Sequence, residues 1–325
     1  MFAYIIRRVL YAVPILIGIN VLTFYLFFVV NSPDDMARMH LGMKHVTEEA
    51  VQKWKASHGY DKPLLLNGAA EGVGQVTDTI FFEKSVRLFA FDFGYSDDGR
   101  DISYDISQRM LPSLAIALPA LLLGLLVNIT FALLMAFFRG SYLDTSGVIL
   151  CVVLMSVSGM FYIIGGQFLL AKVFRLMPIS GFAGGIDALK FIVLPVIIGV
   201  VSGIGSGARW YRTFFLEEAG KDYIRTARAK GLSEMLVLFR HILRNALIPI
   251  VTGVVVILPL LFMGSLLTES FFAIPGLGSY TIDAINNQDF AIVRVMVFLG
   301  SVLYIIGLIL VDITYTIVDP RVRLT

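Results

Sequence analysis

Lys221, Arg225 and Arg228 recur at helical spacing in a polar stretch set between two long apolar runs. Such a stripe of cations can pair with carboxylates or phosphates on another molecule, but it cannot by itself make or break bonds. Tyr223, Ile224 and Ala227 form an adjoining apolar stripe. Asp222 suits the positive end of a helix, and Gly231 can take the left-handed conformation that stops one. Ser233 is placed to cap a second helix running through Leu236, Phe239 and Leu243. A short two-faced helix fits a groove on a soluble partner. It equally fits the anionic inner face of a membrane, and the pattern alone leaves both open.

No residue set for bond-making chemistry accompanies it. The run Gly203-Ile-Gly-Ser-Gly207 lacks the Lys-Ser/Thr ending of a phosphate loop and follows no strand. Gly199, Gly203 and Gly207 instead give two small-xxx-small spacings, which predict close helix packing. His40, His45, His58 and His241 are scattered and are expected on loops, solvated rather than bound to metal. Cys151, the single cysteine, lies in an apolar run, so no internal disulfide is possible and a small core side chain is expected. Catalytic, cofactor and metal sites are therefore expected to be absent. Ionisable groups inside the apolar runs are few, whereas an ion-coupled carrier keeps them at mid-membrane. Asp312, about one turn from the inner end of the last run, and Glu269, near the outer end of the fifth, are expected to be structural polar groups. The chain thus shows no energy source of its own.

The elements around this stretch are those of a membrane protein. Of 325 residues, 57% are hydrophobic and 15% charged, well below the charge of soluble domains. Six apolar segments are long enough to span: 9–30, 112–138, 148–171, 191–208, 247–267 and 295–315. Unpaired backbone is costly in lipid, so each is expected to be a helix. Arg7 and Arg8 precede a run too long for a secretory leader, which is expected to be an uncleaved first helix. The segment 209–244 carries eight basic and four acidic residues, and 271–292 has no Lys or Arg. The basic loops therefore face the cytoplasm, with both termini inside.

The long segment 31–111, with nine basic and thirteen acidic residues, is expected to be an outer cap. Trp54, Phe81, Phe82, Phe89, Phe91 and Phe93 give it a core, and a helix capped by Thr47 is predicted. Residues 68–74 are expected to form a flexible excursion. The predicted fold is all-α and integral to the membrane. Its parts are a first helix (1–30), the cap (31–111) and a core of five helices (112–325) that includes a cytoplasmic loop, 209–246. The net charge of +2 gives no reason to expect nucleic acid.

The stretch Ile224-Arg-Thr-Ala-Arg-Ala-Lys-Gly-Leu-Ser, followed by Arg240-His-Ile-Leu-Arg-Asn-Ala-Leu-Ile-Pro249, resembles the coupling loop of ATP-binding-cassette importer permeases. It is most similar to the dipeptide/oligopeptide/nickel family, the first of its two permease subunits. Further motifs resemble that family in order: Phe91-Asp-Phe-Gly-Tyr-Ser96, Arg139-Gly-Ser-Tyr-Leu-Asp144, Met177-Pro-Ile-Ser-Gly181, Ile274-Pro-Gly-Leu-Gly278, then Asp312, Tyr315 and Asp319-Pro-Arg-Val-Arg323. Where the wider superfamily has Glu-Ala-Ala, this chain has Arg225-Thr-Ala227, and the closing proline is delayed to Pro249.

The resemblance implies six helices in a type I importer arrangement, in a bacterial or archaeal cytoplasmic membrane. It also implies a second permease, two ATPase subunits that bind ATP and Mg, and a periplasmic or lipid-anchored binding protein. On this basis Tyr223, Arg225, Ala227, Arg228 and Gly231 are expected to contact an ATPase. Asp92, Gly94, Ser96, Pro275, Gly276 and Gly278 are expected where the binding protein docks; for the last three, a plain turn between Phe272 and Tyr280 is the other reading. Peptides are the leading cargo, with chito- or cello-oligosaccharides, nickel chelates and glutathione as alternatives. A self-sufficient channel or carrier is the rival from another class.

Overall fold

The computed structural model describes residues 2–42 and 46–318. His45, the 319–323 motif and the Tyr315 side chain lie outside the described residues. Among the described residues, five helices are long and apolar enough to cross a membrane: Ile6–Val30, Ile102–Phe137, Ala188–Ala219, Glu234–Met263 and Phe290–Thr314. Tyr142–Met155 and Gly159–Val173 make a sixth span if taken together, but they are bent by 88°. The unbroken helix expected over 148–171 is therefore a broken one. Side chains add to the backbone bonds beside the break: the Ser156 hydroxyl donates to Val152 O (2.7 Å), and the Tyr162 hydroxyl donates to Leu154 O (2.7 Å). A break is tolerated in lipid where such groups are satisfied within the protein.

The described residues form two compact units, 2–109 with Tyr280–Ile309, and Met110–Ser279 with 310–318. In the first, Phe24 and Phe28 of the first span pack with Met36, Val51, Trp54, Tyr60 and Ile80. Thr47 caps the helix Glu48–His58 as predicted, accepting from Ala50 N, and left-handed Gly59 (φ +68°) closes it. Phe89 and Phe91 are exposed, so the aromatic core is smaller than expected. The 68–74 excursion is folded back: Asn67 N donates to Gln75 O (2.8 Å), and its amide donates to Asp78 (2.9 Å). His40 and His58 sit on helices rather than loops, and His58 stacks on Trp54 at 4.2 Å.

In the second unit, the fourth span packs along Tyr142–Met155. The expected glycine stripe is only partly used. A side chain at Gly203 would meet open space, whereas one at Gly207 would strike the Asn128 amide. The closest approach is at Gly205, off the stripe, where a Cβ would lie 2.6 Å from Cys151 O and 2.8 Å from Met155 N. Those are backbone atoms of a neighbouring helix and cannot rotate away. Cys151 is fully buried against this contact with Met135 and Ala208. Gly205→Ala should therefore destabilise the protein by about 1–3 kcal/mol, whereas Gly203→Ala should be neutral or stabilising by up to about 1 kcal/mol. Thermal unfolding in detergent separates these outcomes.

Candidate functional site

The polar stretch folds as the helix Asp222–Ala229, stopped at Gly231 in the left-handed region (φ +78°). Two of the three residues of its apolar stripe do not face outward. Ile224 is fully buried and Ala227 is 6% exposed, packed with Phe215 of the fourth span and with Val237, Leu238 and Ile242. Burying an isoleucine contributes about 1.5–3 kcal/mol, so the helix is seated on its own chain. Ser233 caps the next helix, accepting from Leu236 N. A seven-residue π-helical stretch, Val237–Leu243, then leads into Arg244–Ile257 of the fifth span.

The outward face carries the charges, and most are already paired. Arg228 Nε and Nη2 donate to the two Glu234 oxygens at 2.9 and 3.1 Å, a bidentate clamp across the Gly231 turn. Lys221 pairs with Glu218. Arg225 has the loosest contact, 3.3 Å to Asp222, with both side chains largely exposed. Of the five residues expected at the contact, Arg225 is thus the cation most open to a partner. Ala227 lies inside, and Gly231 shapes the turn.

Tyr223 does more than its sequence context suggests. Its hydroxyl donates to Glu218 and accepts from the Asn245 amide (2.7 Å), whose nitrogen also donates to His241 O (3.0 Å). One phenol thereby joins the end of the fourth span, the helix and the start of the fifth. Burial, then the Glu218 hydrogen bond, pushes its pKa up to about 12.

Three residues before Phe215, Arg212 grips Asp144 through Nε (2.9 Å) and Nη2 (2.8 Å). Gly140 N also donates to Asp144 (3.0 Å). Sequence reasoning noted Asp144 only within a motif and did not single out Arg212; an acid three residues after Ser141, opposite a basic helix end, was the available signal.

The two motifs expected to meet a binding protein fall in different compact units. In the first unit, Gly94 is left-handed (φ +71°), and its carbonyl accepts from Ile102 N (3.1 Å). Ser96 is buried and accepts from Arg100 N (3.0 Å), while Asp92 remains half-exposed beside Arg87. In the second unit, Glu269 is 1% exposed and its carboxylate accepts from Ser265 N and Ser279 N, both at 3.0 Å. Ser113 Oγ accepts from Leu277 N at 2.8 Å. The glycines serve this packing and not a left-handed turn. A Cβ at Gly276 would enter the Glu269–Ser113 contact, and one at Gly278 would lie 2.6–2.8 Å from the Ser265 and Leu266 backbone. The left-handed residue here is Ala273 (φ +52°). Asp312 is half-buried on the last helix and is not without a partner.

Breaking the Asp144–Arg212 pair with Asp144→Ala should cost about 3–5 kcal/mol, because Arg212 is left partly buried and unpaired; unfolding of the purified protein measures it. Tyr223→Phe should cost about 1.5–3 kcal/mol, the worth of a hydrogen bond to a charged group. The raised phenol pKa contributes stability that is complete below the ordinary value of about 10 and is lost only as pH rises through about 12. The difference between native protein and variant should hence be flat from about pH 6 to 9, a window below both values.

Residues 128–324 match the family described as binding-protein-dependent transport system inner membrane component, and residues 1–118 match its N-terminal membrane component. A peptide transport system permease protein of Brucella abortus (strain 2308) is 34% identical over 99% of both chains. The dipeptide transport system permease protein DppB of Bacillus subtilis (strain 168) is 32% identical, covering 99% of this chain and 98% of its own. The oligopeptide transport system permease protein AppB of the same organism is 30% identical, covering 99% and 100%. With these matches and its apolar helices, the chain belongs to the inner-membrane permease family of binding-protein-dependent transport systems, with the type I importer fold and several membrane passes.

Proposed function

We propose that this chain is the permease subunit of an ATP-driven importer of di- and oligopeptides, and that Asp222–Ala229 is the helix its ATPase grips. One observation carries the reading: the helix is locked to the fourth and fifth spans through Ile224, Ala227 and Tyr223 while Arg225 stays exposed. A push on such a helix is delivered to the spans and not absorbed by a loose loop. The names of the relatives, peptide, dipeptide and oligopeptide permeases, support peptides as cargo.

In this reading both termini and the 209–246 loop are cytoplasmic. The first helix (1–30) and the cap (31–111) precede the 112–325 core. A second permease completes the pathway, and two ATPase subunits hold ATP and Mg, so this chain is non-catalytic and needs no cofactor. A soluble or lipid-anchored binding protein delivers peptide to the outer face. Exposed Asp92 and Pro275 face that delivery, while Gly94, buried Ser96 and buried Gly276 and Gly278 shape the two segments that carry them. Tyr223, Arg225 and Arg228 meet the ATPase, with Ala227 and Gly231 setting their height and angle; Glu269 and Asp312 are structural.

Arg225→Glu should leave unfolding unchanged, since an exposed ion pair is worth about 0–1 kcal/mol. In proteoliposomes with the complete transporter it should abolish peptide uptake while ATP hydrolysis continues or falls. Undiminished uptake per ATP hydrolysed would sink the assignment. Recovery of the native chain from mild detergent without any ATPase subunit would sink the importer reading itself.

A further inference from the structure

His58, expected to be solvated, is instead held on several sides. It ends the helix Glu48–His58, and its ring stacks on Trp54 at 4.2 Å. Its Nδ1 lies 2.8 Å from the Trp54 carbonyl oxygen. A carbonyl can only accept, so the contact assigns the ring hydrogen to Nδ1. The Ser57 hydroxyl, 3.0 Å from Nδ1, has its one hydrogen engaged by the same carbonyl (2.8 Å). A neutral imidazole with its hydrogen on Nδ1 presents a lone pair at Nε2. That nitrogen stands 3.7 Å from Asp97 Oδ1, with both side chains mostly buried. Two acceptors facing each other away from bulk water repel, and one proton between them turns the repulsion into a charge-assisted contact.

The surroundings favour that proton. A cation is stabilised at a helix C-terminus, where His58 sits, and over the face of an indole. Asp97 also meets a second carboxylate. Asp289, buried just before the last helix, accepts from Asp97 N (3.0 Å) and Ile292 N (3.1 Å). Burial, then Asp289, pushes the Asp97 carboxyl above its ordinary value, while His58, His40 and Arg294 pull the other way. Arg294 lies on the last helix, which begins at Phe290 and not at the expected 295, and it donates to Lys84 O (2.9 Å). Lys84 Nζ lies 5.3 Å over the Tyr60 ring, whose phenol is kept protonated by burial. Further out, Glu83 pairs with Lys62, Asp92 with Arg87 and Asp98 with Arg100. His58 and Asp97 both line a cavity of about 440 Å³, which gives water a route to the pair.

We propose that His58 and Asp97 form a proton-binding site that fastens the segment 92–97 to the helix Glu48–His58 and to the start of the last helix. With the proton bound, the imidazolium donates through Nδ1 to Trp54 O and through Nε2 to Asp97, whose own N–H is held by Asp289. The proton comes from water and returns to it. Once it leaves, Nε2 and Asp97 Oδ1 repel, Asp289 adds to the repulsion, and the segment loosens. The folded unit thus holds a proton that the unfolded chain holds less tightly, a contribution present on the acid side and lost as pH rises through the folded value. Mild acid tightens this unit, whatever substrate is transported.

The test uses the full chain in nanodiscs with Trp210→Phe, which leaves Trp54, stacked on His58, as its single tryptophan. Emission from Trp54 should fall in one step as pH is lowered from about 8 to about 5.5, the range in which imidazole gains its charge. His58→Gln should abolish the step, and His40→Gln, which removes the other imidazole near the indole, should leave it. Hydrogen exchange of 92–102 is then compared at the two pH values, with labelling times scaled for the intrinsic rate. Protection should be about tenfold or more higher on the acid side, since a charge-assisted hydrogen bond is at stake. Asp97→Asn should erase that difference, whereas Asp98→Asn at the exposed rim should keep it. No emission step, a step without a change in protection, or a difference that survives Asp97→Asn would overturn the site. If Asp97→Asn does not fold, the native difference and its loss in His58→Gln decide.

Discussion

Satisfaction of polar groups away from water governs this structure. In lipid, each unpaired N–H or C=O costs several kcal/mol, so the spans are helices and every irregularity must carry its own partners. The 88° break at 156–158 exists beside Ser156 and Tyr162, whose hydroxyls donate to the carbonyls of Val152 and Leu154. The 264–279 segment turns on one buried carboxylate, Glu269, which holds the N–H groups of Ser265 and Ser279. Glycines 264, 276 and 278 are there because that carboxylate and the Ser265 backbone occupy the space where a Cβ would go. A charge that looks costly in isolation is the hub that lets the chain double back.

The same economy builds the region around Asp222–Ala229. Phe215 supports Ile224 from the fourth span, and Arg212 on that helix holds Asp144. Glu218 receives Lys221 and Tyr223, and Asn245 closes the group from the fifth span. A displacement of Asp222–Ala229 cannot be taken up by rotating one side chain, because apolar burial and hydrogen bonds constrain it from two helices at once. Packed interiors respond to such a load by moving as bodies. That is the mechanical property an ATPase-driven permease requires.

Legibility in the sequence followed the range of the interaction. Helix content, the Thr47 and Ser233 caps, the Gly231 stop and the amphipathic spacing of 222–229 are local and could be read directly. The location of the apolar face was readable but not its occupant, since Ile224 and Ala227 turn toward their own chain and not toward a partner. Long-range pairings were invisible: Arg212 and Asp144 are 68 residues apart, and Leu277 and Ser113 are 164 apart. The glycine stripe misled because spacing reports which residues share a face, not which face meets a neighbour; Gly205 lies against Cys151 O while Gly203 lies open. Arg294 was missed because hydropathy averages over a window, and one arginine at the mouth of an apolar helix only shifts its apparent start.

Arginine therefore means different things at different positions, and pairing tells them apart. Arg212 and Arg228 are each spent on a carboxylate of this chain, both through two nitrogens. Removing either would change the protein's own shape first. Arg225 is exposed, with a loose partner at 3.3 Å; water solvates it at little cost, and it can leave Asp222 for a stronger acid. Arg294 is the inverse case, buried and left with carbonyls. Carbonyl dipoles offset a cation less than a carboxylate does, and Asp97 and Asp289 act on it from beyond contact distance. The first three contacts are made at short range with a carboxylate. The fourth is a cation held by burial over Phe28 and by the Lys84 carbonyl, with its carboxylates acting from further away, so its removal would disturb that packing first.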